Sequence, residues 1–319
     1  MSLDADIAHL ADELRSNRQV YDVAWFRSAL CRNGHKVIAD PVSNDLIDLV
    51  AQALHEQRPY SVIRLGDGEA NLLTYAGAQS ATPDLDWYAA SQLVQMQPDR
   101  FEPSADGLLA IRRALEQSVD AADIVGVLGL WTHAPVSAEA VLTVLPSDPR
   151  GMSGQTRARY LALKLPDILP ASVVFASAHL YAGVLLHLDR LLTLAGRVVC
   201  ITGRHAAVVK LRSRRPDVAV EHIAVGSDPI RDDSLTSTLG FLDRVRDALP
   251  VDASGVLHLV GAGPWAEIYC HWIKERGGVG IDLGSGFDLL AGMTTRPIHP
   301  YLSSLFGLAA GHADLETPA

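Results

Sequence analysis

From Ser61 onward, short runs rich in Val and Ile alternate with segments of helical periodicity. This alternation is typical of a mostly parallel sheet whose strands are joined by crossover helices. The sequence therefore predicts an α/β fold with a mostly parallel, Rossmann-like sheet and flanking helices. The predicted strands are Ser61–Leu65, Ile124–Leu130, Ser172–Ala176, Arg197–Thr202, Val218–Ala224, Val256–Val260 and Val279–Leu283.

The residues that precede this alternation have helical periodicity instead. Helices are predicted at Leu3–Arg15, Tyr21–Cys31 and Asn44–Gln57, the last with an apolar stripe on one side. We therefore predict a helical N-terminal extension, residues 1–58, packed on an α/β domain of residues 59–306. Residues 307–319 are expected to be a flexible tail.

The composition excludes several classes of protein. The chain has 319 residues and a formal net charge of −10, which argues against broad nucleic-acid binding because neutralising many phosphates requires excess Lys and Arg. Its three cysteines are odd in number and widely spaced, which predicts buried free thiols in a reducing compartment. No signal peptide is evident, and no apolar stretch approaches the roughly 20 residues that span a bilayer. We expect a cytoplasmic protein with no transmembrane segment; a homo-oligomer is compatible with these features.

Two carboxylates follow the first strand of the predicted sheet. Ligands of such sheets gather beyond the carboxyl ends of the strands, where this sequence places Asp67 and Glu69. If the backbone stays extended, residues two apart point the same way and offer oxygen ligands to Mg²⁺ or Mn²⁺. Gly66 and Gly68 lack Cβ atoms and would let a nucleotide approach the backbone.

The same residues have a structural interpretation. Asp-Gly is a common turn dipeptide, so Asp67-Gly68 is equally well explained as a tight turn between two elements. Arg64, in the strand, is either a phosphate contact or the partner of a carboxylate in a structural ion pair. The spacing alone does not decide between these interpretations.

The segment Arg64–Glu69, Arg-Leu-Gly-Asp-Gly-Glu, closely resembles the Arg-Phe-Gly-Asp-Gly-Glu motif of the GT-D fold glycosyltransferases. A second stretch, Gly261–Gly284, is similar to the Gly-Pro turn, helix and Ile-Asp-Ile-Gly-His strand that end the family's domain. The resemblance implies a GT-D type fold, a nucleotide-sugar donor that is often a UDP-sugar, and a metal role for Asp67 and Glu69.

This sequence departs from the family pattern at two positions. Ser177–Tyr181 stands where a Ser-Arg-Pro-Tyr segment is expected, and Ser285 replaces the histidine after Asp-Ile-Gly. The lost arginine is a planar, permanently charged donor suited to diphosphate oxygens. His179 or Arg204, which also follow predicted strands, are its candidate replacements, and Asp282 is a candidate site residue.

The terminal strand-turn-helix supplies the last candidates. Gly261, Gly263 and Pro264 form its turn, and the amides that begin the following helix are a candidate contact for phosphate or carboxylate. The same turn, with Asp282 about twenty residues on, fits a loose dinucleotide fingerprint. An alternative function is therefore a Rossmann-like nucleotide- or S-adenosylmethionine-binding enzyme centred on Gly261–Ala266. Such fingerprints usually open a domain, whereas this one lies at the end of the sheet.

We predict a metal-dependent glycosyltransferase of hexosyltransferase type, with a nucleotide-sugar donor and a small-molecule or glycan acceptor. An inverting reaction requires a general base, for which His133, His179 and Asp282 are candidates. A nucleotide-sugar binding protein without turnover is a further alternative. Acceptor specificity is expected in the N-terminal helices and in residues 81–106, because acceptor choice depends on segments specific to each protein.

Overall fold

The computed structural model describes residues 23–75, 90, 104–131, 154–226, 240–296 and 298–306. Within these residues, eight strands form one sheet in the order β1-β4-β3-β2-β8-β7-β5-β6, and every strand pair is parallel. The strands are β1 (Val37–Ile38), β2 (Tyr60–Leu65), β3 (Ile124–Val127), β4 (Val174–Ser177), β5 (Arg197–Thr202), β6 (Ala219–Ala224), β7 (Leu257–Gly261) and β8 (Val279–Asp282).

Helices cover both faces of the sheet. The α-helices of the described residues are α1 (Val23–Leu30), α2 (Asn44–His55), α3 (Asp67–Leu73), α4 (Ala105–Ala121), α5 (Gly154–Lys164), α6 (Tyr181–Leu186), α7 (Leu188–Ala195), α8 (His205–Arg214), α9 (Gly240–Ala248), α10 (Ala266–Glu275), α11 (Gly286–Leu290) and α12 (His299–Phe306). Short 3₁₀ turns lie at Arg32–Gly34, Leu165–Asp167 and Gly263–Trp265. None of the helices described is both long enough and apolar enough to cross a membrane.

The predicted fold class is confirmed, and all seven predicted strands are present with ends shifted by up to three residues. Strand β1 was not predicted, because only helices were expected before Ser61. Its two residues pair with Phe175 and Ala176 of β4 and add an edge to the sheet. Two residues are too few to produce a periodic pattern.

Of the predicted N-terminal helices, Tyr21–Cys31 corresponds to α1 and Asn44–Gln57 to α2, whereas Leu3–Arg15 lies outside the described residues, as does the tail 307–319. Helix α2 begins where the Ser43 side chain accepts the Asp45 amide at 3.3 Å. It ends before Gln57, which adopts a left-handed φ of 51°.

The three cysteines are free thiols, as predicted, but they are not all buried. Cys200 in β5 and Cys270 in α10 lie in the core, whereas Cys31 is exposed. Cys31 follows the last residue of α1, where the chain leaves the helix and enters a 3₁₀ turn. The prediction that all three thiols are buried is therefore wrong for Cys31, because the end of α1 is exposed at this residue.

The apolar core lies in two layers, one on each face of the sheet. Successive residues of β2 alternate between them: Val62 belongs to one layer and Ile63 to the other. Helix α3, which follows β2, packs in the layer of Ile63. Phe287 of α11, which follows β8, packs in the opposite layer.

Strands β2 and β8 are neighbours, yet the chain leaves their carboxyl ends toward opposite faces of the sheet. This arrangement opens a crevice between the two connections. It is the position at which open α/β sheets bind ligands. The fold therefore places the segments after β2 and β8 at the rim of the same crevice.

Candidate functional site

The segment after β2 is a helix, not an extended strand. Gly66 is the N-cap of α3, and Asp67 and Glu69 are its first and third residues. Residues two apart on a helix are separated by about 200° and point to opposite sides. The prediction that both carboxylates point the same way from an extended backbone is therefore wrong, and Asp67-Gly68 is not a tight turn between elements.

The two carboxylates have different environments. The exposed Asp67 side chain accepts the neighbouring Gly68 amide at 3.1 Å. The Glu69 side chain turns back, and its Oε2 accepts the Gly66 amide at 2.8 Å, as in a capping box. A Cβ on Gly66 would lie 2.8 Å from that oxygen. Glycine at position 66 therefore makes room for Glu69, which is a role that the sequence analysis did not anticipate.

Arg64, the preceding strand residue, forms an ion pair across the crevice. Its Nε and Nη2 donate to the two Asp282 carboxylate oxygens at 2.8 and 3.1 Å, and its Nη1 donates to the Ala178 carbonyl at 3.3 Å. The guanidinium also lies 5.3 Å from the centre of the Tyr181 ring. Burial disfavours the charged guanidinium, but the Asp282 carboxylate outweighs it, so the pKa of Arg64 is raised. The structural interpretation of Arg64, pairing with a carboxylate, is the one that the structure shows.

Two further carboxyl groups lie around this ion pair. Burial raises the pKa of Glu69 to about 7; Asp282 adds to the rise, while Arg64 and backbone amides oppose it. Glu267, in the first turn of α10, is 1% exposed, and its Oε2 has no hydrogen-bond partner in the described structure. Burial, and next the charges of Glu69 and Asp282, raise the pKa of Glu267 well above its ordinary value. Three carboxyl groups therefore surround one guanidinium.

Glu267 was not predicted from the sequence as a site residue. In the sequence, Glu267 stands out as a single acidic residue in the otherwise apolar start of a helix, Trp265–Cys270. Charged residues are rarely fully buried unless they are paired. The proximity of Glu267 to the residues after β2 arises from the packing of α10 against the sheet, which local periodicity does not report.

The Glu267→Gln variant is expected to be more stable than the wild type at pH 8 and similar to it near pH 4. An acid with a raised folded-state pKa stabilises the fold below its unfolded pKa and loses that contribution as the pH rises through the folded value. Glutamine is neutral at every pH and avoids the loss. Urea unfolding from pH 4 to 8 without divalent cations would measure the difference, which must grow with pH. A constant difference would contradict this assignment; the exposed Glu56→Gln variant is the control.

The conformation of the terminal turn, Gly261–Pro264, is explained by side-chain packing. Gly261 ends β7, and a Cβ there would lie 2.4 Å from the Phe287 ring, so this glycine accommodates a buried aromatic side chain. Gly263 has a left-handed φ of 59°, and Pro264 is buried in the 3₁₀ turn before α10. Phe287 therefore fills the space in which a side chain at position 261 would lie. The glycine spacing of the dinucleotide-type alternative is thus explained without a ligand.

Aromatic and imidazole rings lie beyond the carboxyl ends of β3 and β4. His179 lies edge-on to Trp131, with ring centroids 5.6 Å apart, and Tyr301 of α12 lies 5.8 Å from the same indole. His299, which was not predicted as a site residue, has its Nε2 3.2 Å from the Ser285 hydroxyl. His133, a candidate base, lies outside the described residues.

Apart from His179, the predicted site residues lie in two places. Arg64, Glu69 and Asp282 lie together, with Asp67 exposed at the rim beside them. Arg204 lies at the end of β5, next to β7, which ends in the Gly261–Pro264 turn. The part of the chain that the structure describes contains no group of three or more Asp, Glu, His or Cys side chains arranged to hold a metal.

Comparison with known families supports the resemblance predicted from Arg64–Glu69. The family model of the GT-D fold-like domain matches residues 42–162, which include α2, β2, that motif and β3. This part of the chain is therefore similar to the GT-D-like domain, and the parallel α/β sheet is consistent with that similarity. Gly261–Gly284 lies beyond the matched residues. No curated protein and no solved structure matches the chain significantly.

Proposed function

We propose that this chain, with its similarity to the GT-D-like domain, is a metal-dependent glycosyltransferase that transfers a sugar from a nucleotide-sugar donor, of the UDP-sugar class, to an acceptor hydroxyl. The observation that supports this function best is the exposed Asp67 carboxylate at the rim of the crevice, directly after the central strand β2 and inside the matched domain. Glu69 follows it at the same helix start. Catalysis by these residues is our proposal from their position and chemistry.

The donor set suits Mn²⁺ or Mg²⁺. Mg²⁺ keeps several waters and binds through one or two carboxylates plus substrate phosphates, so a site without three protein ligands fits this chemistry. Held by Asp67, with water and the donor phosphates as its other ligands, the metal would supply positive charge that offsets the charge developing on the leaving diphosphate. Glu69 points to the other side of α3 and is bonded to the Gly66 amide, so it would need to turn to share the metal.

Other residues of the chain supply positioning and proton transfer. The Arg64–Asp282 pair ties β2 to β8 and thereby fixes both rims of the crevice. In the transfer, the acceptor oxygen bonds to the anomeric carbon, the bond from that carbon to the diphosphate oxygen breaks, and the acceptor proton passes to a base. Asp282 is engaged by Arg64, so we assign the base to His179, an imidazole at the carboxyl end of β4.

The Asp67→Ala variant is expected to bind UDP at least about 100-fold more weakly than the wild type in the presence of Mn²⁺, because a direct metal ligand should matter at least as much as an outer-shell partner. Isothermal titration of UDP with and without Mn²⁺ measures this. The control is Asp45→Ala, an exposed aspartate in the first turn of α2, which follows the edge strand β1. UDP binding that needs no Mn²⁺, or that Asp67→Ala leaves unchanged, would remove the metal role.

A further inference from the structure

We propose that Arg204 and Asp288 form an anion subsite on the β5 side of the crevice, in which Arg204 contacts the donor's diphosphate and Asp288 is its positioning residue. The inference rests on the proposed function and adds to it the location of the diphosphate. Asp288 had no predicted role. The two residues lie 84 positions apart in sequence and meet only in the fold.

Arg204 and Asp288 lie at the carboxyl edge of the sheet. Arg204 follows the carboxyl end of β5, and Asp288 lies in α11, which follows β8. Strand β7 lies between β5 and β8, so the contact between the two side chains spans the carboxyl end of β7. The guanidinium is therefore held at the ligand-binding edge of the sheet and not on its outer surface.

The contact between Arg204 and Asp288 holds only one side of the guanidinium. Arg204 Nε donates to Asp288 Oδ1 at 2.5 Å, and the Thr295 hydroxyl donates to the other carboxylate oxygen. The Asp288 side chain is only 8% exposed, whereas that of Arg204 is 48% exposed. Within the described residues, no group accepts from the two terminal nitrogens of Arg204. A buried, doubly hydrogen-bonded carboxylate thus holds one edge of the guanidinium and leaves its outer edge toward solvent.

Arg64 and Arg204 differ in how many of their guanidinium nitrogens are engaged. Arg64 donates from Nε and Nη2 to Asp282 and from Nη1 to the Ala178 carbonyl, so all three of its nitrogens are engaged. Among the residues that the structure describes, the Arg204 guanidinium is engaged only through Nε. A planar guanidinium with both terminal nitrogens available matches two oxygens of a phosphate. Of these two arginines, Arg204 is therefore the one that can bind the diphosphate.

The Arg204 side chain is already ordered in the absence of a ligand. Arginine has many rotamers, and fixing them on binding costs affinity. The contact to Asp288 fixes these rotamers before the ligand arrives, and the Arg204 amide donates to the Thr202 hydroxyl at 3.1 Å, which fixes the backbone. Loss of Asp288 should therefore weaken anion binding even though a carboxylate repels anions.

The test is titration of wild type and variants with UDP in the presence of Mn²⁺ and with inorganic pyrophosphate alone. Arg204→Ala should weaken both by about 10- to 100-fold, the range expected for charge-assisted hydrogen bonds. Arg204→Lys should remain weak, because an ammonium lacks the planar fork. The matched control is Arg197→Ala at the opposite end of β5, whose side chain is 44% exposed and paired with Glu221.

Asp288→Ala should weaken binding less than Arg204→Ala, and the Arg204→Ala/Asp288→Ala double variant should be no weaker than Arg204→Ala alone. A merely structural role of Asp288 would instead add to the loss. Asp288→Asn retains an acceptor for Nε and should recover most of the affinity; it also covers the case in which the alanine variant does not fold.

Equal binding of both ligands by Arg204→Ala and wild type would overturn the subsite, as would a wild type that binds neither. Arg204-dependent binding of pyrophosphate without any binding of UDP would support the subsite and contradict the proposed function. The two proposals can therefore fail separately.

Discussion

Replacing Arg64 with methionine is expected to lower the free energy of unfolding by about 3–5 kcal/mol, the cost of removing one partner from a buried ion pair. The side chains of Arg64 and Asp282 are 19% and 2% exposed, and Glu69 and Glu267 lie close to them. Removal of the guanidinium leaves these carboxyl groups without their cation. Methionine fills a similar volume, so the change tests charge more than packing.

Urea unfolding at pH 7 measures the loss. The control is Arg190→Met, which breaks the exposed pair with Asp48 at 2.7 Å and should cost less than about 1 kcal/mol. The Arg64→Met/Asp282→Leu double variant should recover most of the stability, because it removes both charges. A loss in Arg64→Met no larger than that of the control would mean that Asp282 is not desolvated as the structure indicates.

The sheet could be predicted from the sequence because its evidence is local. The strand Arg197–Thr202 has an apolar centre, Val198–Ile201, is bounded by glycines and is long enough to show strand character. Strand β1 has two residues and depends on β4 for its hydrogen bonds, so no local pattern reveals it. The conformation after β2 was predictable in principle, since Glu69 is three residues beyond Gly66 at the spacing of a capping box.

The candidate site could be predicted only in part, for a related reason. Asp67 and Glu69 are close in sequence and belong to a recognisable motif. The partners that decide what the neighbouring residues do come from distant segments: Asp282 lies 218 positions from Arg64. Glycines that suggested ligand approach instead accommodate side chains, such as Glu69 at Gly66. Such close approaches depend on tertiary packing, which local composition does not encode.

Gly284→Ala is expected to destabilise the protein by about 3–5 kcal/mol, through a strained backbone and disruption of the Arg64 ion pair. Gly284 has a φ of 47°, and a Cβ there would lie 1.8 Å from Nη2 of Arg64. An arginine tip normally moves aside at little cost. Here the tip is held by Asp282 and Ala178, so movement of the guanidinium breaks the pair.

Thermal and urea unfolding of Gly284→Ala and Gly196→Ala separates the two causes. Gly196 has a φ of 63°, and a Cβ there would meet no atom of the described residues within 4 Å, so Gly196→Ala should cost only about 1–2 kcal/mol for the backbone. Adding Arg64→Met removes the obstructing atom, and in that background Gly284→Ala should cost no more than Gly196→Ala. Additive losses would show that Gly284 and Arg64 act independently. Non-additive losses would show that this glycine is required because the ion pair at the rim of the crevice needs its space.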